Sequence, residues 1–169
     1  MVKGQYFSFD AILATLILIL SFSILFFYWF PLRQDVLEEE ISLFAEALSL
    51  SEVLLTPGED NWEAALSEGE NVRNIRYIGF GVAQKKNRID LAKVRAFRAF
   101  VFSNYEMGKN VLGISRNYKI EIVYGNNNIE IGRSPSPAVE EIGIARRPVY
   151  LYGNDGKIQP GVMIVYLWK

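Results

Sequence analysis

Six cations fall between residues 85 and 98, at Lys85, Lys86, Arg88, Lys93, Arg95 and Arg98, with Asp90 the only acid among them. Such a run could bind DNA, an anionic lipid surface or an acidic glycan. It could equally be a solvated helix start whose cations meet glutamates of this chain or a neighbour, and a charge run alone favours that plainer reading. A nucleic-acid groove needs interleaved aromatics to stack bases. Phe97 and Phe100 instead fall at core and interface positions, which argues against a nucleic-acid partner. Gly79-Phe80-Gly81 is no phosphate loop, because no Gly-Lys-Ser/Thr follows and no strand–GxGxxG–helix unit surrounds it. Glu140 and Glu141 are adjacent, so in a strand they point to opposite faces and make a poor acid–base pair. Asn154-Asp155-Gly156 is a turn, too short for a calcium loop, and Asn126-Asn127-Asn128 holds no glycosylation sequon. The chain has no histidine and no cysteine. That removes the commonest neutral-pH base, the commonest zinc ligand, thiolate metal sites and disulfides. No cofactor or metal is expected, and the composition argues against an enzyme; catalysis would fall to Asp, Glu, Lys, Tyr or Ser alone.

The element that must carry the function is Ala11–Phe30, which contains no charged residue. As a helix, a run of that length spans roughly the 30 Å hydrocarbon core of a bilayer. It is longer than a secretory signal's apolar region, and its exit (Phe26-Phe27-Tyr28-Trp29-Phe30-Pro31) is too bulky for a signal-peptidase site. The aromatics suit an interfacial belt. The span is therefore expected to stay on the mature protein. Lys3 before it and Arg33 after it nearly tie under the positive-inside rule. The long downstream domain favours the N-terminus inside and the C-terminus outside.

The chain opens Met1-Val2-Lys3-Gly4-Gln5-Tyr6-Phe7-Ser8-Phe9-Asp10 before this run. It resembles the archaeal type IV pilin-like proteins with a class III signal peptide, whose short basic leader ends Lys-Gly, followed by Gln, a Ser and an acid. The resemblance implies cleavage by a prepilin peptidase between Gly4 and Gln5, with Lys3 as the leader charge and the apolar helix retained. Ser8 and Asp10 each stand one residue later than in the family pattern, and one residue turns a helical side chain by about 100°. In the family the acid meets the N-terminal amine of a neighbouring subunit. For Asp10 that inter-subunit contact stands beside a simpler role in the headgroup layer, where little desolvation is needed.

Beyond Pro31, Leu37, Ile41, Phe44, Leu48 and Leu55 recur at helical spacing, with Val36, Leu43, Ala47, Leu50 and Leu54 on an adjoining stripe. One helix is expected from about Phe7 to Leu55, stopped by Thr56-Pro57-Gly58, its rear stripe covered by a domain of this chain. Trp62 should plug the acidic connector that follows onto the core, with a short helix around Glu63–Ser67. A short extended segment is expected in Arg73–Val82. A second helix is expected over Ile89–Tyr105, capped by Asp90 or Asn87. From Asn117 the period becomes two: a hairpin turns at Asn126–Asn128, and a strand in Glu141–Tyr152 is confined by Pro148 to an edge or bulge. The closing strand Gly161–Trp168 is apolar on both faces, which predicts a central, buried position.

The fold class is therefore α+β: a long N-terminal transmembrane and amphipathic helix, then a small head of helix plus antiparallel sheet, type IV pilin-like. The expected divisions are leader 1–4, transmembrane or filament-core helix 5–31, amphipathic continuation 32–56, connector 57–88 and head 89–169. The Asn-Tyr-Lys-Ile-Glu-Ile strand, the Arg-Arg strand and the terminal Trp extend the resemblance loosely along the chain. It implies a major or minor structural subunit of a surface filament. Before assembly the subunit would sit in the cell membrane as a single-pass protein, and afterwards in an extracellular filament, with the sheet outermost and available for adhesion. The implied partners are the prepilin peptidase, an assembly ATPase and membrane platform protein, other pilin subunits, and membrane lipid. Ala14, Ser21 and Ser23 would let neighbouring helices approach closely, and Leu37, Ile41, Phe44 and Leu48 would pack the rear half. The alternative is a permanently anchored extracytoplasmic binding or accessory domain that does not polymerise.

Overall fold

The structure is a computed structural model that describes residues 3–68, 75–153 and 156–169, with side chains described at 9–30 and 42–66 of the first stretch. The chain divides into two compact units, Met1–Glu39 and Glu40–Lys169. Helix α1 (Lys3–Leu54) contributes to both. The first unit is helix throughout its described length, and the helix continues through Pro31.

The second unit is α+β. After α1 come α2 (Trp62–Glu68), β1 (Gly81–Val82), β2 (Lys85–Asp90), α3 (Leu91–Ser103), α4 (Tyr105–Leu112), β3 (Asn117–Tyr124), β4 (Asn127–Gly132), β5 (Ile142–Tyr152) and β6 (Ile158–Trp168). The strands form one sheet in the order β1-β2-β5-β6-β3-β4. The sheet is mixed rather than purely antiparallel, because β2 pairs parallel with β5 through Arg88–Tyr150 and Asp90–Tyr152. That pairing joins segments about sixty residues apart and carries no local turn signal. Residues expected in the connector thus enter the sheet as β2.

The rear of α1 lies along β5. Residues Leu43, Ala47, Leu50 and Leu54 are buried on it. A Cβ on Gly143 would stand 2.5 Å from the Leu43 carbonyl oxygen, so strand and helix touch there backbone to backbone. Further on, Arg147 Nε donates to Ser51 Oγ at 3.1 Å, and its terminal nitrogen pairs with Glu52 at 2.6 Å. Eight helical residues rise about 12 Å and four strand residues about 13 Å, so the two contacts match without bending either element. This crossing sets the helix phase. The buried stripe is consequently the one through Leu43, while Phe44 remains about half exposed (51%) and Leu48 packs only partly against the core. Leu37 and Ile41 belong to the other expected stripe, and their side chains lie outside the described residues.

The Thr56-Pro57-Gly58 stop ends α1 as expected, and the segment before β1 closes it. Phe80 N donates to Leu54 O and Gly81 N to Thr56 O, both at 2.7 Å. These bonds satisfy carbonyls that a helix end otherwise leaves orphaned. Gly79 and Gly81 make the approach possible, since a Cβ on either would lie 2.1 Å from a carbonyl oxygen of Thr56 or Leu55. Phe80 is fully buried between them, its ring 5.7 Å from that of Phe97. Trp62 plugs α2 onto the same cluster, edge-on to Phe97 at 6.4 Å.

The second helix starts two residues later than expected and ends earlier. Asp90 is its N-cap, accepting from Ala92 N at 2.8 Å. Asn104 breaks it, with φ −138° and ψ 56°, and Tyr105 opens α4 instead of closing α3. Asn87 caps nothing; it lies in β2 with φ +56°. The hairpin turns on Gly125-Asn126, because Tyr124 pairs with Asn127 and the turn needs the positive φ of Gly125. Pro148 sits where β5 has β6 on one side and, among the described residues, no strand pairs with it on the other, so the edge expectation holds locally. Strand β6 is central, but apart from Trp168 at its end only its Met163–Val165–Leu167 face is buried. Val162, on the other face, is exposed, and Ile164 and Tyr166 are half-buried, since the helices cover one side of the sheet only.

Tyr105 and Tyr118 stack at 5.1 Å, with the Arg133 guanidinium over the Tyr105 ring at 4.1 Å. Tyr118 N donates to the Tyr105 hydroxyl at 2.9 Å, while the Tyr118 hydroxyl is buried with no partner. Burial, then the neighbouring Tyr105 and Glu106, push the Tyr118 phenol well above its ordinary 10.0.

Two outcomes are expected. Gly79→Ala should destabilise the head by about 2 kcal/mol or more, through overpacking against Thr56, measured by urea unfolding of the detergent-solubilised chain. Because the phenol is raised on folding, stability should be level up to about pH 10 and fall above it. Tyr118→Phe should lessen that fall while leaving unfolding at pH 7 unchanged or slightly improved.

Candidate functional site

The surface that demands a partner is the front of α1. Phe9–Phe30 is long and apolar enough to cross a membrane, and none of it is buried within the chain. At about 1.5 Å per residue it reaches roughly 33 Å. Its three aliphatic hydroxyls are already satisfied by the helix. Thr15 donates to Ala11 O, Ser21 to Ile17 O and Ser23 to Ile19 O, each at 2.8 Å. Such back-bonding removes the cost of carrying a hydroxyl into hydrocarbon. Leu18, Ile19, Phe22, Ser23 and Phe26 outline a shallow hollow one side chain deep. At the far end the rings of Phe27 and Tyr28 meet edge-on at 6.3 Å, beside exposed Trp29 and Phe30.

No family model matches the chain, and neither a curated protein nor a solved structure matches it. The site therefore rests on its own geometry. Lys3, Gly4 and Gln5 lie in α1, with side chains outside the described residues. Asp10 is exposed one turn before the hydroxyl-bearing stretch, and Ala14, Ser21 and Ser23 are exposed along the helix. The structure thus brings the small residues onto one unpartnered rod, and places Phe44 and Leu48 in the other unit.

The basic run does not form a single site. Lys85, Lys86 and Arg88 lie on β2, and Lys93, Arg95 and Arg98 on α3. Lys93 is used internally, donating to the Pro57 carbonyl and pairing with Glu63 at 3.5 Å. Among the described residues no group of three His, Cys, Asp or Glu could hold a metal ion. An open cleft of about 410 Å³ near the start of α3 is lined by Arg95, Tyr124, Asn127, Lys157 and Gln159, among others.

One surface went unread in the sequence, the face of the sheet turned away from the helices. Register places Ile144 beside Tyr166 and Lys119, Arg146 beside Ile164, Glu121 and Glu130, and Pro148 beside Val162, Val123 and Asn128. Lys119 pairs with Glu130 at 3.1 Å, and Glu121 accepts from Asn128 at 2.7 Å and from the Tyr166 hydroxyl at 3.1 Å. The signal was available: even-numbered residues of β5 and β6 are largely apolar, as are the odd-numbered ones.

Placing two arginines in the span as Leu18→Arg with Phe22→Arg should cost about 5–7 kcal/mol of insertion free energy. The expected result is loss of the chain from the carbonate-resistant membrane fraction. Retention equal to the unsubstituted chain would show that the span is not what holds it there.

Proposed function

We propose that this chain is a type IV pilin-like structural subunit of an archaeal surface filament, held in the membrane by α1 until a prepilin peptidase removes Met1–Gly4. The observation that carries this reading is the full exposure of Phe9–Phe30 on a helix that also supplies Leu43–Leu54 to the head core. Such a surface needs lipid or other copies of itself. Lipid tails are about as apolar as leucine, so packing decides whether helices associate. Ala14, Ser21 and Ser23 allow close approach, and the hollow around Phe22 accepts a side chain from a neighbour. Because the Thr15, Ser21 and Ser23 hydroxyls are bonded to their own helix, moving from lipid into a bundle breaks none of those bonds. Head-to-tail contacts that do not close give an open helical polymer. The assembly ATPase and platform protein would drive the transfer, and the sheet would face outward, where adhesion occurs.

The bulky exit after Phe26 supports retention of the helix, and Lys3-Gly4-Gln5 supports cleavage ahead of it. The second reading, a permanently anchored accessory domain, draws on the same exposed helix and predicts neither trimming nor polymer.

Mass spectrometry of the native protein should find Gln5 at the N-terminus, and Gly4→Phe should leave Met1 in place and abolish filaments. An intact Met1 in cells with active prepilin peptidase would exclude the filament reading and favour the anchored domain.

A further inference from the structure

We infer that the exposed sheet face is a self-complementary contact through which two heads pair about a two-fold axis along β6. The face is apolar on either side of its central charged row, with Ile142 and Ile144 exposed on one side and Val123, Val162 and Tyr150 on the other. Strands β5, β6, β3 and β4, at about 4.8 Å by 3.4 Å per residue, outline on the order of 590 Å². A standard interface takes roughly 800 Å² from each partner, so one such face is close to sufficient.

The charges select the occupant. In one row across the sheet, Arg146 of β5 stands beside Ile164 of β6, then Glu121 of β3, then Glu130 of β4. Lys119 neutralises one of the two carboxylates, leaving one net negative charge on the β3–β4 side. Arg146 makes no ion pair with any described residue, and supplies one positive charge on the β5 side. A two-fold axis parallel to the strands and passing over β6 exchanges the two sides while keeping each row level. Arg146 of each copy then lies over the Glu121–Glu130 pair of the other. Ile164 and Val162 meet their own counterparts on the axis. A rotation that inverts the rows about Ile164 instead sets Arg146 over its own counterpart and loses this match. A bilayer fits less well, because it would strip Glu121 and Glu130 of water and return no cation. Aligned sheets packed about 10 Å apart form such faces routinely. A two-fold contact closes on itself, so it pairs heads and does not build the polymer. It stands or falls independently of leader trimming.

The chain has no native cysteine, so single substitutions report the contact cleanly. Full-length Ile164→Cys and Val162→Cys chains, in detergent and in native membranes, are treated with a short homobifunctional maleimide. Asn126→Cys, in the hairpin turn away from the axis, is the control. The expected result is a covalent dimer at 162 and 164 and none at 126. Arg146→Glu should reduce the dimer about tenfold or more by setting like charges opposite each other, and Arg146→Glu with Glu130→Arg should restore it. The inference is overturned by absence of dimer at both axial positions, by equal dimer at 126, or by yields indifferent to charge reversal. Protection of the residue-164 thiol by phosphatidylcholine vesicles without dimer would also overturn it, in favour of lipid.

Discussion

The head depends on how the end of α1 is closed. A helix that stops inside a domain presents carbonyls with no partners of their own, and burying them unmet costs more than most single contacts return. Here the backbone at Phe80 and Gly81 meets Leu54 and Thr56 directly. The same residues then feed β1 and, through Asp90 N to Phe80 O, the entry to α3. Lys93 reaches back from α3 to the Pro57 carbonyl and draws the turn after the helix into the arrangement. Two glycines flanking a buried aromatic thus couple the helix end, the sheet edge and the second helix.

Once that end is fixed, the rest follows from matched lengths. The rear of α1 lies on β5 between Gly143 and Arg147, and the absent side chain at Gly143 sets how closely they approach. Ser51, fully buried, is tolerable because its hydroxyl donates to Leu48 O and accepts from Arg147. The ion pair of Arg116 with Glu46 at 3.5 Å adds a tie between the start of β3 and the same helix. The aromatic cluster of Trp62, Phe80 and Phe97 fills one end of the core, and the Tyr105–Tyr118 stack another.

Much of this was legible because its signals are local. The front of α1, the Thr56-Pro57-Gly58 stop, α2 around Trp62, the Asp90 cap and the β3–β4 hairpin each announce themselves within one continuous short stretch of chain. What was illegible is decided over distance. Two apolar stripes compete on the rear of α1, and only the crossing with β5 chooses Leu43 over Phe44. Strand β2 is rich in lysine and gains its place by pairing with β5, far along the chain. Gly79-Phe80-Gly81 could be rejected as a phosphate loop, but its real task needs knowledge of where the helix ends. Of the candidate site, the exposed membrane-length helix was plain from composition. The charged row on the open sheet face was not, because its residues come from four strands.

Pro148 has a bearing on crowding. The stretch from Ile142 to Val149 has a strand along one flank only, the sort of margin onto which a stray chain readily zips. An imide nitrogen has no hydrogen to offer an incomer, so the ladder would miss a rung in its middle. Copies held at high local concentration are thereby steered away from fusing margin to margin. One ring closes off the cheapest route to clumping.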